Sequence, residues 1–208
     1  MPARVRMVLA GAIAVTAVIV AAAAFAPDGG SGSEAEPTLG RRSEFRGSTM
    51  PKGVRAPDFV LRDERGRRLD SRALRGRPLV VAFLYSTCED TCPLEAQQVR
   101  GALDDIGDDE KVTALAVSVD PRNDTPGSAR KFLAEQRVYG RMRFALGTQA
   151  QLEPVWRGFF IQEQTEEYEH QARVTLVDGK GFQRVGYPID MLTPENLAAD
   201  VRTLLAER

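Results

Sequence analysis

The hydrophobic pattern changes character three times along the chain. From Met7 to Ala26 apolar and small residues run unbroken for 20 positions. At about 1.5 Å per residue that predicts an apolar helix about 30 Å long, one bilayer hydrocarbon core. From Pro27 to Val54 apolar clustering almost vanishes, and Gly, Ser, Glu, Pro and Arg dominate. Such a composition buries no core, so residues 27–55 are expected to be a flexible linker. From Ala56 onward short apolar runs alternate with amphipathic stretches, and residues 56–208 read as one domain.

Within that domain, Val60 and Leu61, the turn Asp63-Glu64-Arg65-Gly66, and Leu69 predict a β-hairpin. Leu79 to Tyr85 is a continuous run of β-formers and predicts a strand buried on both faces. Pro93 suits a first helical position and Glu95 a capping one. Ala96, Val99, Leu103 and Ile106 then give a helical stripe that ends at Gly107. Val112 to Val119 predicts a second buried strand, and Thr125-Pro126 opens a helix carrying Ala129, Phe132 and Leu133. A further helix is expected over Thr148 to Phe160, with Pro154 inside it. Val174 to Val177, a turn at Asp178-Gly179-Lys180-Gly181, and Phe182 to Tyr187 predict a second hairpin. Thr193-Pro194 starts the last helix, with Leu197, Val201, Leu204 and Leu205 on one face. The order βαβα, then ββα, is that of an α/β fold: a thioredoxin-like three-layer α/β/α sandwich with an N-terminal β-hairpin extension. Its early parallel strands need crossover helices, and its late hairpin does not.

Charge refines the picture at the N-terminus. Arg4 and Arg6 precede the apolar run, and Asp28, Glu34 and Glu36 follow it, a bias that favours an N-terminus in the cytoplasm and a domain outside. The run is longer than a usual signal-peptide core and favours a retained membrane anchor. Its closing Ala24-Phe25-Ala26 fits a signal-peptidase site, so secretion after cleavage is the alternative. A coil of about 28 residues reaches about 25 to 30 Å from such an anchor. The formal net charge of −1 gives no reason to expect nucleic-acid binding.

The chain has two cysteines, Cys88 and Cys92, and one histidine, His170. A disulfide closing so short a loop restrains the unfolded chain little, about 2 kcal/mol against about 4 to 5 for a 100-residue loop. Redox or metal chemistry is therefore the better reason for the pair. Both cysteines fall where a buried strand ends and a helix begins, the edge where α/β sheets carry their sites. A helix N-terminus favours thiolate over thiol. Two thiolates and one imidazole suit Cu(I) or Cu(II), whereas structural zinc normally takes a fourth protein ligand. His170 precedes the strand Val174 to Val177, which in this fold lies near the strand that delivers the cysteines. From the residues alone the pair stays open between redox chemistry, metal binding and no chemistry at all, and a lone histidine is more often a surface or core residue than a ligand.

Three stretches resemble the Sco/SenC copper proteins associated with cytochrome c oxidase assembly. Ser86-Thr87-Cys88-Glu89-Asp90-Thr91-Cys92-Pro93 is similar to that family's cysteine loop. Ser118-Val119-Asp120-Pro121-Arg122-Asn123-Asp124-Thr125-Pro126 resembles its strand-end motif. Tyr168-Glu169-His170, leading into Val174-Thr175-Leu176-Val177-Asp178-Gly179, resembles its histidine segment. The resemblance implies that Cys88, Cys92 and His170 bind copper, and that Asp120 and Asp124 shape the loop beside the site, a role that competes with ordinary turn and cap chemistry. One departure is Glu89, where many members have proline. The function implied is a metallochaperone that takes copper from an upstream donor and delivers it to the dinuclear copper site of an oxidase subunit. The alternative is a thiol–disulfide oxidoreductase that reduces the target's cysteines for metallation, since a disulfide blocks metal binding and a dithiol permits it. The three-residue spacer between the cysteines and the absence of proline from Gln171 to Val177 favour metal. Neither cysteine has the upstream threonine and proline that a peroxiredoxin needs.

Overall fold

The computed structural model describes residues 44–108, 110–162 and 172–207. Its centre is strand β4 (Leu79–Leu84), in which all six residues are buried. An uninterrupted Leu-Val-Val-Ala-Phe-Leu run can be buried this way only with cover on both faces, and the layers supply it. Eight strands are described: β1 (Ser48–Thr49), β2 (Val60–Arg62), β3 (Arg68–Asp70), β4, β5 (Thr113–Ser118), β6 (Met142–Ala145), β7 (Arg173–Val177) and β8 (Gln183–Pro188). Six of them form a mixed sheet in the order β1-β8-β7-β4-β5-β6. Strand β5 runs parallel to β4, with Leu84 opposite Ser118, while β7 is antiparallel, with Ala82 opposite Val174.

The helices are α1 (Thr91–Ile106), α2 (Pro126–Glu135), α3 (Gln149–Gly158) and α4 (Pro194–Ala206). Side chains of α1, α2 and α4 pack with Val80, Ala82 and Leu84 on one face of β4. Leu152, Val155 and Trp156 of α3, together with Leu61 and Leu69 of the β2–β3 hairpin, pack with Leu79, Val81 and Phe83 on the other. This is the three-layer sandwich that the order of elements predicts, with the hairpin as the expected N-terminal extension.

Three local features differ from expectation. Residues 44–55 belong to the segment whose composition predicts a linker, yet Phe45 is buried and β1 pairs with β8. Asp200 of α4 accepts the backbone N–H groups of Arg46 (2.8 Å) and Gly47 (3.0 Å). A two-residue strand has no period to read, and its partners Gly186 and Val185 lie far along the chain. Second, strand β6 forms where the local pattern predicts no strand. Third, the hairpin-turn acids are buried: Asp63 is 0% and Glu64 1% exposed. Asp63 accepts the N–H groups of Arg65 and Arg67 at 3.0 and 2.8 Å and pairs with the guanidinium groups of Arg67 and Arg143. Glu64 accepts the N–H of Phe144 in β6 at 3.0 Å.

Candidate metal centre

The chain leaves β4 at Leu84, whose carbonyl receives the N–H of Val119 across from β5. A tight turn follows, closed by Cys88 N–H to the Tyr85 carbonyl at 3.3 Å. Helix α1 begins at Thr91, two residues before Pro93. Asp90 stands at its N-cap without a side-chain cap bond. The sulfur of Cys88 does that work instead, accepting the N–H of Cys92 at 3.3 Å, with Thr91 Oγ1 at 3.8 Å. A helix N-terminus leaves such amides free, and an anionic acceptor there is favoured by the aligned peptide dipoles.

The two thiols are free and have opposite character. The hydrogen bond from the Cys92 thiol is the main cause holding Cys88 down, to about 4; the N–H groups of Cys92 and Asp90 and the Tyr85 side chain add to it against the opposing effect of burial. Cys92 is pushed strongly up, first because its proton serves Cys88 and then by burial, with the charges of Cys88 and Glu95 adding to it. The two thiols titrate as a coupled pair, in which Cys88 is the sulfur biased toward thiolate and Cys92 the one biased toward thiol. Cys88 also opens to a cleft of about 480 Å³, shared with Ser86, Thr87, Glu89 and residues of α2 such as Ser128 and Lys131; Cys92 does not line it.

Glu95 does not take the capping position. One turn past Cys92 it is 0% exposed, and neither carboxylate oxygen has a hydrogen-bond partner among the described residues. Burial, and then the charge of Cys88, push its carboxyl well above the usual range.

The two aspartates of the strand-end motif part company. Asp124 reaches the cysteine loop: Oδ1 accepts the N–H and hydroxyl of Ser86 at 2.7 and 2.5 Å, and Oδ2 accepts the Ser118 hydroxyl at 2.5 Å. Burial raises its carboxyl, and the bonds from Ser118 and Ser86 oppose that rise. Asp120 is turn chemistry, its side chain accepting from Asn123 Nδ2 at 2.8 Å and its carbonyl from the N–H groups of Asn123 and Asp124.

His170 lies outside the described residues. The strand that follows it, β7, starts at Arg173 and enters the sheet beside β4 at the edge where β4 releases the cysteines. Among the described residues no group of three or more His, Cys, Asp or Glu is placed to hold a metal ion. The described part thus contributes two sulfur donors, one already biased to thiolate, which is chemistry suited to a soft metal.

Fold and site together define a thioredoxin-like domain that presents two thiols of opposite character at a strand-to-helix junction. The model of the SCO1/SenC family matches residues 48–206, and the chain belongs to that family. Protein SenC of Rhodobacter capsulatus is 28% identical over 158 residues, 71% of this chain and 69% of SenC. The mitochondrial SCO2 homolog of Bos taurus is 26% identical over 159 residues, 71% of this chain and 59% of the bovine protein. Among solved structures, Bradyrhizobium japonicum ScoI with copper bound is similar with a TM-score of 0.63 and 27% identity, over 72% of this chain and 98% of ScoI. Apo Sco1 of Thermus thermophilus has the same fold, with a TM-score of 0.68 and 20% identity over 79% of this chain and 99% of that one.

Proposed function

We propose that this chain is an extracytoplasmic copper metallochaperone: Cys88, Cys92 and His170 bind copper received from an upstream donor and pass it to the dinuclear copper site of a cytochrome c oxidase subunit. The observation that carries the reading is the sulfur pair at the N-terminus of α1. Cys88 offers a thiolate without first losing a proton at neutral pH, and Cys92 adds a second sulfur once its proton leaves. Kinship with copper-bound ScoI supports copper as the metal, and His170 is the chain's sole imidazole. The segment Met7 to Ala26 would hold the domain at the outer face of the cytoplasmic membrane, with release after cleavage as the alternative.

The opposed thiols also favour a second reading, thiol–disulfide exchange. Cys88 thiolate would attack a target disulfide and form a mixed disulfide, releasing one target thiol. Cys92 would then close the Cys88–Cys92 disulfide and release the other, two electrons passing to the target. One experiment separates the readings. The Cu(I)-loaded chain is mixed anaerobically with the reduced, metal-free copper-site domain of the oxidase subunit, and the metal-free dithiol chain with that domain's disulfide form. Copper moving to the recipient without change in its thiol count supports delivery. Absence of transfer, with two new recipient thiols in the second mixture, replaces delivery by exchange.

A further inference from the structure

We infer that Asp124 is a positioning residue for the candidate site: its carboxylate ties the root of the cysteine loop to the end of β5, and so fixes where Cys88 presents its sulfur. Ser86 stands two residues before Cys88, and both its N–H (2.7 Å) and its hydroxyl (2.5 Å) meet Asp124 Oδ1. Ser118, the last residue of β5, meets Oδ2 at 2.5 Å. Two neighbouring parallel strands are thereby pinned at their carboxyl ends through one half-buried side chain. The tie continues outward. Ser86 Oγ lies 2.8 Å from Ser128 Oγ in the first turn of α2, and the Ser118 carbonyl accepts the indole N–H of Trp156 in α3 at 2.8 Å. The cysteine loop is thus referenced to elements on both faces of the sheet.

An ordinary capping role is not what Asp124 performs. Thr125 is the N-cap of α2 and accepts the Ser128 N–H at 3.1 Å, whereas the side-chain bonds of Asp124 go to Ser86 and Ser118. Without Asp124 the Ser86 amide loses its acceptor, and the turn that delivers Cys88 to the Cys92 N–H loses its anchor. This inference deepens the copper reading, but its first readout needs no metal.

The test compares the reduced wild-type chain with Asp124→Ala, Asp124→Asn and Ser118→Ala, measuring the rate of Cys88 alkylation by iodoacetamide at pH 7 and the Cu(I) dissociation constant. Asp124→Ala should alkylate about tenfold more slowly and bind Cu(I) about tenfold more weakly, the scale of one lost hydrogen bond. Asparagine can still accept from Ser86 and meet a turned Ser118 hydroxyl, so Asp124→Asn should stay within about threefold of wild type. Ser118→Ala removes one of the three bonds, falls between them, and serves if Asp124→Ala does not fold. A folded Asp124→Ala, or failing that Ser118→Ala, with wild-type alkylation overturns the inference, and so does an Asp124→Asn as impaired as the alanine variant. If wild type binds no Cu(I), the copper reading falls and the alkylation series alone decides this one.

Discussion

Glu95 is a carboxyl group buried where no described residue hydrogen-bonds it, one helical turn beyond the buried thiol. Replacing it by methionine keeps a long unbranched side chain in the helix and removes both unpaired oxygens. An unsatisfied buried polar group costs about 1–3 kcal/mol, so Glu95→Met should be more stable by about that amount. For a domain of this size each kcal/mol moves Tm by about 2–4 °C, giving an expected rise of about 2–12 °C. The pH dependence is a sharper test. Burial first, and the charge of Cys88 second, raise the folded-state pKa of Glu95 above its ordinary value of 4.5. A group shifted this way contributes its stability in full below its unfolded pKa and loses it as pH rises toward the folded one. Wild type should therefore weaken relative to Glu95→Met as pH climbs from 4.5. Thermal unfolding of both reduced proteins at about pH 4.5, 6 and 7.5 measures the gap, which should widen with pH across the range of that shift. A variant less stable than wild type at the highest pH, or a gap equal at all three, refutes the reasoning.

The depressed Cys88 makes the opposite prediction. Its folded pKa of about 4 lies below the ordinary 9.0, so its stabilisation is full above the latter and lost as pH falls through the former. The stability gap between the reduced wild type and Cys88→Ser should widen from pH 4 to pH 9, and parallel curves would contradict it. Asp63→Ala strands two backbone N–H groups and the guanidinium groups of Arg67 and Arg143. It should cost about 3 kcal/mol or more in urea unfolding while leaving Cu(I) affinity unchanged. A Cβ at Gly47 would stand 2.5 Å from Val185 Cγ1 and 2.6 Å from the Tyr187 ring. Gly47→Ala should therefore cost about 1–3 kcal/mol and speed amide exchange at Ser48 and Thr49; unchanged exchange would show that the strand adjusts.

What could be read ahead of the structure follows from where the information lies along the chain. The β4 run, the stripe from Ala96 to Ile106 and the two hairpins are local patterns, and each element forms within a residue or two of its expected place. The cysteines were legible for the same reason, because strand, turn and helix N-terminus are consecutive in sequence. Strand β6 escaped because Arg143 interrupts its apolar residues, and that arginine is used by Asp63, 80 positions earlier. Asp63 and Glu64 read only as turn residues: Arg65 and Arg67 satisfy Asp63 locally, but the partners in β6 that close over the turn, Arg143 for Asp63 and Phe144 for Glu64, lie 80 positions away. Glu95 followed the capping-box spacing, but the helix starts earlier and the Cys88 sulfur takes the amide that a cap would serve. Asp124 was visible only as a motif position; its partner Ser86 lies 38 residues away.

The most direct test of the copper account is an anaerobic Cu(I) titration of the reduced chain against a competing chelator, run beside Cys88→Ser, Cys92→Ser and His170→Ala. The account predicts one tight equivalent in the wild type, markedly weakened by each substitution. Weak wild-type binding, or binding indifferent to His170 or to either cysteine, would contradict it.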